Sequence, residues 1–202
     1  MKNSDINYSL PASRGRKTML VFAVLGALAT LMMQSFISGM LSTLSMDRFL
    51  AMQFSWSLEI FNANLASLGP ASQLYFSHLW YDLLYPLAYS TCLFCTLFLL
   101  LTPKPRGFNL LAAYRRAWAL ERFRRLRAAR GLSIFPIIGG LADIVENGVT
   151  IFLISNPPMR TDPLVLLAFV ATIVKWIFLI LTFWVAIYAM AVQWLAKHKQ
   201  EA

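Results

Sequence analysis

The chain has 202 residues, of which 58% are hydrophobic and only 13% are charged, and its formal net charge is +9. Its mean hydropathy is +0.60, and its polar residues are too few to cover the exterior of a water-soluble protein. This composition excludes an intrinsically disordered chain and a disulfide-stapled secreted domain. The length fits a single domain.

Four stretches are long and apolar enough to cross a bilayer, whose hydrocarbon core of about 30 Å requires roughly 20 helical residues. We expect these spans at residues 18–40, 79–101, 132–154 and 163–194, with no helix discontinuity evident in any of them. The first span is longer than the apolar region of a signal peptide and lacks a cleavage pattern, so we interpret it as an uncleaved anchor. The predicted fold class is therefore all-α, a polytopic membrane protein with four transmembrane helices in an antiparallel bundle.

The basic residues are distributed on one side of these predicted spans. They precede the first span, follow the fourth, and number nine between the second and the third, whereas the two opposite loops contain only Arg48 and Arg160. Because positive charge is retained in the cytoplasm, this pattern predicts a multi-pass inner-membrane protein with both termini cytoplasmic. The topology accounts for the net positive charge, so no nucleic-acid partner is expected.

The predicted loops differ in character. Residues 41–78 are rich in aromatic side chains, and we expect one or two short amphipathic helices along the outer interface, either covering the bundle or forming a lid over a site. Residues 109–130 predict a basic helix on the anionic inner leaflet of the lipid bilayer. The short connection at residues 155–162 predicts that the third and fourth spans form an antiparallel hairpin.

Ionisable residues inside apolar spans are costly and are therefore functional candidates. The spans contain four of them: Asp82, Asp143, Glu146 and Lys175. By helical rise, Asp143 and Lys175 both lie near the membrane midplane. If the hairpin turns between Pro158 and Met159, Lys175 faces position 142, which predicts an ion pair with Asp143. Such a pair could also serve only to fix the register of the two helices.

Further polar residues share helical faces with these charges. Asn147 and Thr150 continue the face of Asp143 and Glu146, and Tyr85 and Tyr89 continue that of Asp82. Three carboxylates oppose one ammonium group, so either one or two carboxyls are protonated or a cation or water fills the site. The candidate ligand-binding or polar cluster comprises Gln34, Asp82, Tyr85, Tyr89, Asp143, Glu146, Asn147 and Lys175. A purely structural network is the alternative.

Other motifs give weaker signals. Cys92 and Cys95 form a C-x-x-C pair inside an apolar segment, and we interpret them as two small buried hydrophobic residues. His78 lies one turn before Asp82, but two ligands are too few for a metal site, and an interfacial hydrogen bond is the preferred interpretation. No nucleotide-binding or hydrolase motif is present, so neither a metal nor a cofactor is expected.

The chain resembles a family of small bacterial four-helix integral membrane proteins. The resemblance covers about residues 65–176 and rests on two motifs, Asp-x-x-Tyr-Pro at Asp82 and Asp-x-x-Glu-Asn at Asp143, followed by Lys175 and Trp176. It implies a four-span fold and groups Asp82, Tyr85, Asp143, Glu146, Asn147 and Lys175 as one set. It implies no activity.

These observations favour a membrane protein that binds or senses a small polar, cationic or lipid-derived ligand at the polar cluster. One alternative is an enzyme acting on a lipid or isoprenoid, with Asp143 or Glu146 as general acid and Asp82 stabilising positive charge. Another is a structural or assembly subunit, so an oligomer or a partner subunit stays open. An enzyme requires an opening lined by the carboxyls, whereas an assembly subunit requires a filled interior and an apolar contact surface.

Overall fold

The computed structural model describes residues 12–41, 45–102 and 129–201, and these residues are helical with no strand. The helices are α1 Ala12–Leu41, α2 Met46–Gln53, α3 Leu58–Leu68, α4 Ser72–Asp82, α5 Tyr85–Leu101, α6 Phe135–Ser155 and α7 Asp162–Glu201. Short 3-10 turns occur at Gly69–Ala71, Ala129–Ile134 and Pro157–Met159. The basic helix predicted at residues 109–130 lies, apart from its last two residues in a 3-10 turn, outside the described residues.

Three of the described helical segments are long and apolar enough to cross a membrane: Arg16–Ser35, Ala129–Ser155 and Asp162–Trp194. A fourth is obtained if Leu58–Asp82 and Tyr85–Leu101, which are bent by 41° relative to each other, count as one broken span. Length and composition therefore indicate an all-α membrane protein with three or four membrane-crossing segments.

The second predicted span is broken, and the expectation of one continuous helix over residues 79–101 was wrong. Helix α4 ends at Asp82 and α5 begins at Tyr85. Pro86 explains the break, because proline has no N–H group and its ring clashes with the carbonyl four residues earlier. That carbonyl belongs to Asp82, so it lacks the N–H donor that residue 86 would supply in a continuous helix. The remaining α5 has 17 residues and is only about 25 Å long, shorter than the hydrocarbon core.

Small residues allow three close helix contacts. A Cβ atom built on Gly26 of α1 would lie 2.9 Å from the Cβ of Cys92 on α5, and one built on Gly140 of α6 would lie 2.8 Å from the Cβ of Ser90. A Cβ on Gly139 would lie 3.5 Å from the main-chain oxygen of Lys175 on α7, an ordinary contact. Glycine at the first two positions thus lets α5 pack directly against α1 and α6, as is common between membrane helices.

Side chains from other segments of the chain satisfy carbonyl groups at the helix ends. At the C-terminus of α5, Arg16 donates to the oxygen of Thr102 over 2.8 Å, and Gln193 donates to that of Leu100 over 2.6 Å. At the C-terminus of α6, the Nε of Arg160 donates to the oxygen of Leu153 over 2.7 Å. These bonds matter because the last carbonyls of a helix have no partner within it.

The segment predicted as an outer loop contains α2, α3 and most of α4. It packs on α6 and α7 through one apolar core formed by Met52, Phe61, Leu68, Tyr75, Leu79, Ile151, Leu153 and Val165. Polar bonds fix its position: Asn64 donates to the oxygen of Ala51 over 2.8 Å, and Asp162 accepts from the main-chain nitrogen of Leu58 over 2.7 Å. This segment covers the polar side chains that project from α4, α6 and α7.

Candidate functional site

One face of α6 is polar and fully buried. Asp143, Glu146, Asn147 and Thr150 are 4%, 3%, 1% and 6% exposed. Their spacing of three and four residues places them along one side of the helix. In a water-soluble protein, an amphipathic helix turns its apolar side toward the protein interior. In a membrane the surroundings are apolar, so the polar face of α6 is instead favourably placed in the protein interior.

Lys175 of α7 forms ion pairs with two of these carboxylates. Its Nζ lies 3.1 Å from Oδ1 of Asp143 and 2.6 Å from Oε2 of Glu146. The contact predicted between Asp143 and Lys175 is therefore confirmed. The second contact follows from the three-residue spacing of Asp143 and Glu146, which places both carboxylates within reach of one ammonium group.

Asp143 accepts hydrogen bonds from three different helices. Lys175 donates to its Oδ1 over 3.1 Å, Asn147 donates to the same atom over 3.2 Å, and the hydroxyl of Tyr89 donates to Oδ2 over 2.9 Å. Both oxygens of this carboxylate are thus bonded, one of them to a cation. Asp143 is the anchor of the cluster, because its charge is already compensated within the chain.

Asp82 has a different environment, although it lies in the same cluster. Its Oδ2 accepts from Nδ2 of Asn147 over 3.1 Å and lies 3.9 Å from Nε2 of His78. Within the described part of the chain, no Lys or Arg side chain forms an ion pair with it. Its side chain also keeps 11% exposure, against 6% for Asp143 and 4% for Glu146. Asp82 is therefore the carboxylate of the cluster that has no direct ion pair with Lys175, and in this sense we call it the uncompensated carboxylate.

Two buried polar atoms beside Asp82 have no hydrogen-bond partner among the described residues. They are Oδ1 of Asn147, whose Nδ2 bonds Asp82, and Nδ1 of His78, whose Nε2 faces Asp82. The two residues are 1% and 3% exposed. Most buried polar atoms in proteins are paired, so two unpaired atoms next to one uncompensated carboxylate indicate where a ligand could be held.

Gln34 and Tyr85 lie at the edge of this cluster. The hydroxyl of Tyr85 donates to Oε1 of Gln34 over 3.1 Å, and its ring lies 5.2 Å from that of Tyr89. Gln34 is exposed and Tyr85 is half-buried. The structure thus joins six of the eight candidate residues by direct polar contacts, namely Asp82, Tyr89, Asp143, Glu146, Asn147 and Lys175, and connects the other two to them through the Tyr89 ring.

Helix α4 contributes more buried groups to the site than its sequence pattern indicated. An interfacial hydrogen bond was expected for His78 and no role for Tyr75, yet the two residues are only 3% and 2% exposed. Phe49 of α2 packs edge-on against both rings, with centroid distances of 5.3 Å to His78 and 6.0 Å to Tyr75. The signal was available, because Tyr75, His78 and Asp82 are spaced by three and four residues and so share a helical face.

Across residues 12–41, 45–102 and 129–201, no three His, Cys, Asp or Glu side chains come together as metal ligands. The cysteine pair lies elsewhere on α5, where Sγ of Cys95 is 3.7 Å from Sδ of Met19.

No protein-family model, curated protein or solved structure matches this chain. The resemblance based on the motifs at Asp82 and Asp143 accordingly stays a prediction.

Proposed function

We propose that this chain is an integral membrane protein that binds or senses a small cationic ligand at Asp82. The observation that supports this function best is the unequal treatment of the carboxylates. Lys175 forms ion pairs with Asp143 and Glu146, whereas the direct polar contacts of the Asp82 side chain, among the residues that the structure describes, are with the amide of Asn147 and the ring of His78. A buried charge is costly unless it is paired, so the position favours a cationic partner.

The formal charge of the cluster supports a cation over a neutral ligand. Asp82, Asp143 and Glu146 supply three negative charges, and Lys175 supplies one positive charge. A neutral polar ligand would satisfy hydrogen bonds but would leave the excess unchanged. A cationic ligand at Asp82 would neutralise the one carboxylate of the three that has no direct ion pair with Lys175.

The break between α4 and α5 also supports a site at this position. Irregular backbone at membrane depth is tolerated where it is surrounded by protein or lines a cavity, and membrane transporters place ligands at interrupted helices for this reason. Asp82 is the last residue of α4, and Tyr85 and Pro86 begin α5. The same short segment thus supplies the uncompensated carboxylate and the interrupted backbone.

The proposed architecture is an antiparallel bundle of four membrane crossings, with α4 and α5 together forming the second. Arg16 bonds Thr102, Gly26 packs on Cys92 and Gln34 bonds Tyr85, so contacts advance in opposite directions along α1 and α5. The basic residues support cytoplasmic termini in a bacterial inner membrane, with residues 109–130 on its anionic leaflet.

The experiment compares a cation with its neutral analogue. Purified protein in one detergent, at constant ionic strength, is unfolded thermally with increasing n-butylammonium chloride or n-butanol. We expect butylammonium to raise Tm and butanol not to, because only the former carries charge to Asp82. The increase should be absent in Asp82→Asn and retained in Asp47→Asn, which alters an exposed carboxylate on α2. An equal increase in Asp82→Asn, or none in the wild type, would contradict the proposed function.

A further inference from the structure

The surroundings of Asp82 also indicate the chemical class of the ligand and its route. Resting on the proposed cation site, we infer that the ligand is an amphiphile with a primary ammonium group. Its head reaches Asp82 sideways from the bilayer, between α1 and the break that separates α4 from α5, while its apolar chain remains among the lipids.

The hydrogen-bonding groups around Asp82 indicate a ligand that donates. Oδ1 of Asn147 can only accept hydrogen bonds, and the same is true of the two carboxylate oxygens of an ionised Asp82. If Nε2 of His78 carries its proton toward Asp82, Nδ1 is a third acceptor. A primary ammonium group has three N–H donors and can match this set, whereas a quaternary ammonium group has the same charge but no donor.

Gln34 and Tyr85 form a polar edge of the cluster, on the side of α1. Gln34 lies within the candidate span Arg16–Ser35, where its neighbours Leu31 and Met32 are 64% and 76% exposed. Its bonding partner Tyr85 follows Asp82 by three residues, which is one helical turn in spacing. Gln34 is the last residue but one of that candidate span and is exposed, whereas Tyr85 is half-buried. Polar groups therefore extend from the neighbourhood of Asp82 to the outer surface of the helices, which is the lateral entrance that the ammonium head would use.

The contact between α1 and α5 at Gln34 and Tyr85 differs from their contact at Gly26. Helix α1 packs closely on the backbone of α5 at Gly26, which is eight residues and about 12 Å from Gln34. At Gln34 the contact between the helices is made by two polar side chains instead. Two side chains can rotate aside, whereas the backbone contact at Gly26 cannot open without separating the helices.

The opposite approach to Asp82 is closed by α2. The ring of Phe49 packs on His78 and Tyr75, and Met52 is 4% exposed in the core beneath α2. Thr172 of α7 donates to the main-chain oxygen of Gln53 over 3.2 Å, and Asn64 of α3 bonds Ala51. Because α2 is fixed by both packing and hydrogen bonds, the lateral route requires less rearrangement.

The test uses a dodecylamine that carries a photoreactive diazirine on its chain close to the ammonium group, added to the full-length protein in phosphatidylcholine nanodiscs. After illumination, adducts are located by peptide mass spectrometry. We expect them on α1 and α5 near Gln34 and Tyr85, suppressed by unlabelled dodecylamine and lost in Asp82→Asn. Because competition is measured on the wild type, the result does not depend on the folding of the variant.

Competition between amphiphiles tests the ammonium class of the ligand separately from its route to Asp82. Dodecyltrimethylammonium should compete at least about tenfold more weakly than dodecylamine, since it lacks charged N–H donors. Equal competition would overturn the primary ammonium class, and adducts mainly on α2 and α3 would overturn the lateral route. Both outcomes leave the butylammonium shift intact, whereas loss of that shift contradicts the cation site itself.

A final arm distinguishes the two sources of a primary ammonium amphiphile. Replacing half of the phosphatidylcholine by phosphatidylethanolamine should suppress the adducts if the ligand is a lipid headgroup, and should leave them unchanged if it is a free long-chain amine. Adducts that are insensitive to every competitor and equal in Asp82→Asn would overturn the inference, because they would reflect ordinary contact with the bilayer.

Discussion

Nδ2 of Asn147 lies 3.2 Å from the main-chain oxygen of Asp82, the carbonyl for which Pro86 cannot supply an N–H donor. The same amide nitrogen contacts the side chain of Asp82 and that of Asp143. One side chain on α6 thus satisfies the interrupted backbone between α4 and α5 and connects the two carboxylates. The break and the polar cluster are parts of one arrangement.

Replacing this amide should destabilise the protein in a way that depends on Pro86. Asn147→Leu removes the donor to Asp82 and Asp143, and we expect a loss of about 1–3 kcal/mol in the free energy of unfolding. In a Pro86→Ala background the loss should be smaller, because residue 86 then offers its own N–H to the oxygen of Asp82. Unfolding of the four variants in one detergent measures this coupling as a double-mutant cycle. Equal losses in both backgrounds would contradict it.

Two glycines of α6 should respond in opposite ways to the same substitution. A Cβ at Gly140 would lie 2.8 Å from Ser90 and 3.2 Å from the main-chain oxygen of Pro86, whereas a Cβ at Gly148 meets nothing within 4 Å. We expect Gly140→Ala to cost about 1–3 kcal/mol through overpacking. Gly148→Ala should be neutral or stabilise by up to about 1 kcal/mol, since alanine favours helix. Thermal unfolding of both variants checks the packing of α6 on α5.

The ion pairs of Lys175 should contribute measurably to stability. Lys175→Met leaves Asp143 and Glu146 without a cation. Such a change costs about 3–5 kcal/mol in soluble interiors, whereas side-chain couplings in a membrane average about 0.6 kcal/mol. We expect a loss between these values, with no loss for Lys17→Met, which alters an exposed lysine on α1. Equal stability of the two variants would show that the buried ion pairs contribute nothing.

The orientation is tested with topology reporters. A reporter fused after Ala202, or inserted at residue 125, should be active on the cytoplasmic side, and one inserted at Pro158 should be active outside. The expectation follows from the excess of basic residues between the second and third spans and after the fourth. A reporter at residue 125 that reads as external would reverse the proposed topology.

Hydropathy and helical spacing were sufficient to predict α1, α6 and α7 and the contact between Asp143 and Lys175. The register of the α6–α7 hairpin follows from its short connection and the regular helical rise, so Lys175 could be positioned against its partner from residue numbers alone. The polar face of α6 was predictable for a similar reason, because spacing within one helix does not depend on the rest of the fold.

Relations between distant helices could not be predicted in this way. Pro86 lies within the second predicted span, but proline is tolerated inside membrane helices when other groups satisfy the freed carbonyl, so the sequence did not show that α4 and α5 would separate. The role of Asn147 as that group depends on how α6 packs against the break. The difference between Asp82 and Asp143 likewise depends on which carboxylates Lys175 can reach, and this is a property of the packed helices.

The most direct test of the account is the free energy of unfolding of Asp82→Asn in the absence of added amines, measured beside the wild type and Lys175→Met. Asparagine keeps an oxygen that can accept from Asn147 and removes the uncompensated charge. If Asp82 is retained for a cationic ligand, the variant should be as stable as the wild type or more stable, because the charge is a cost until the ligand binds. A loss of stability as large as that of Lys175→Met would contradict the account and would make the cluster a structural network.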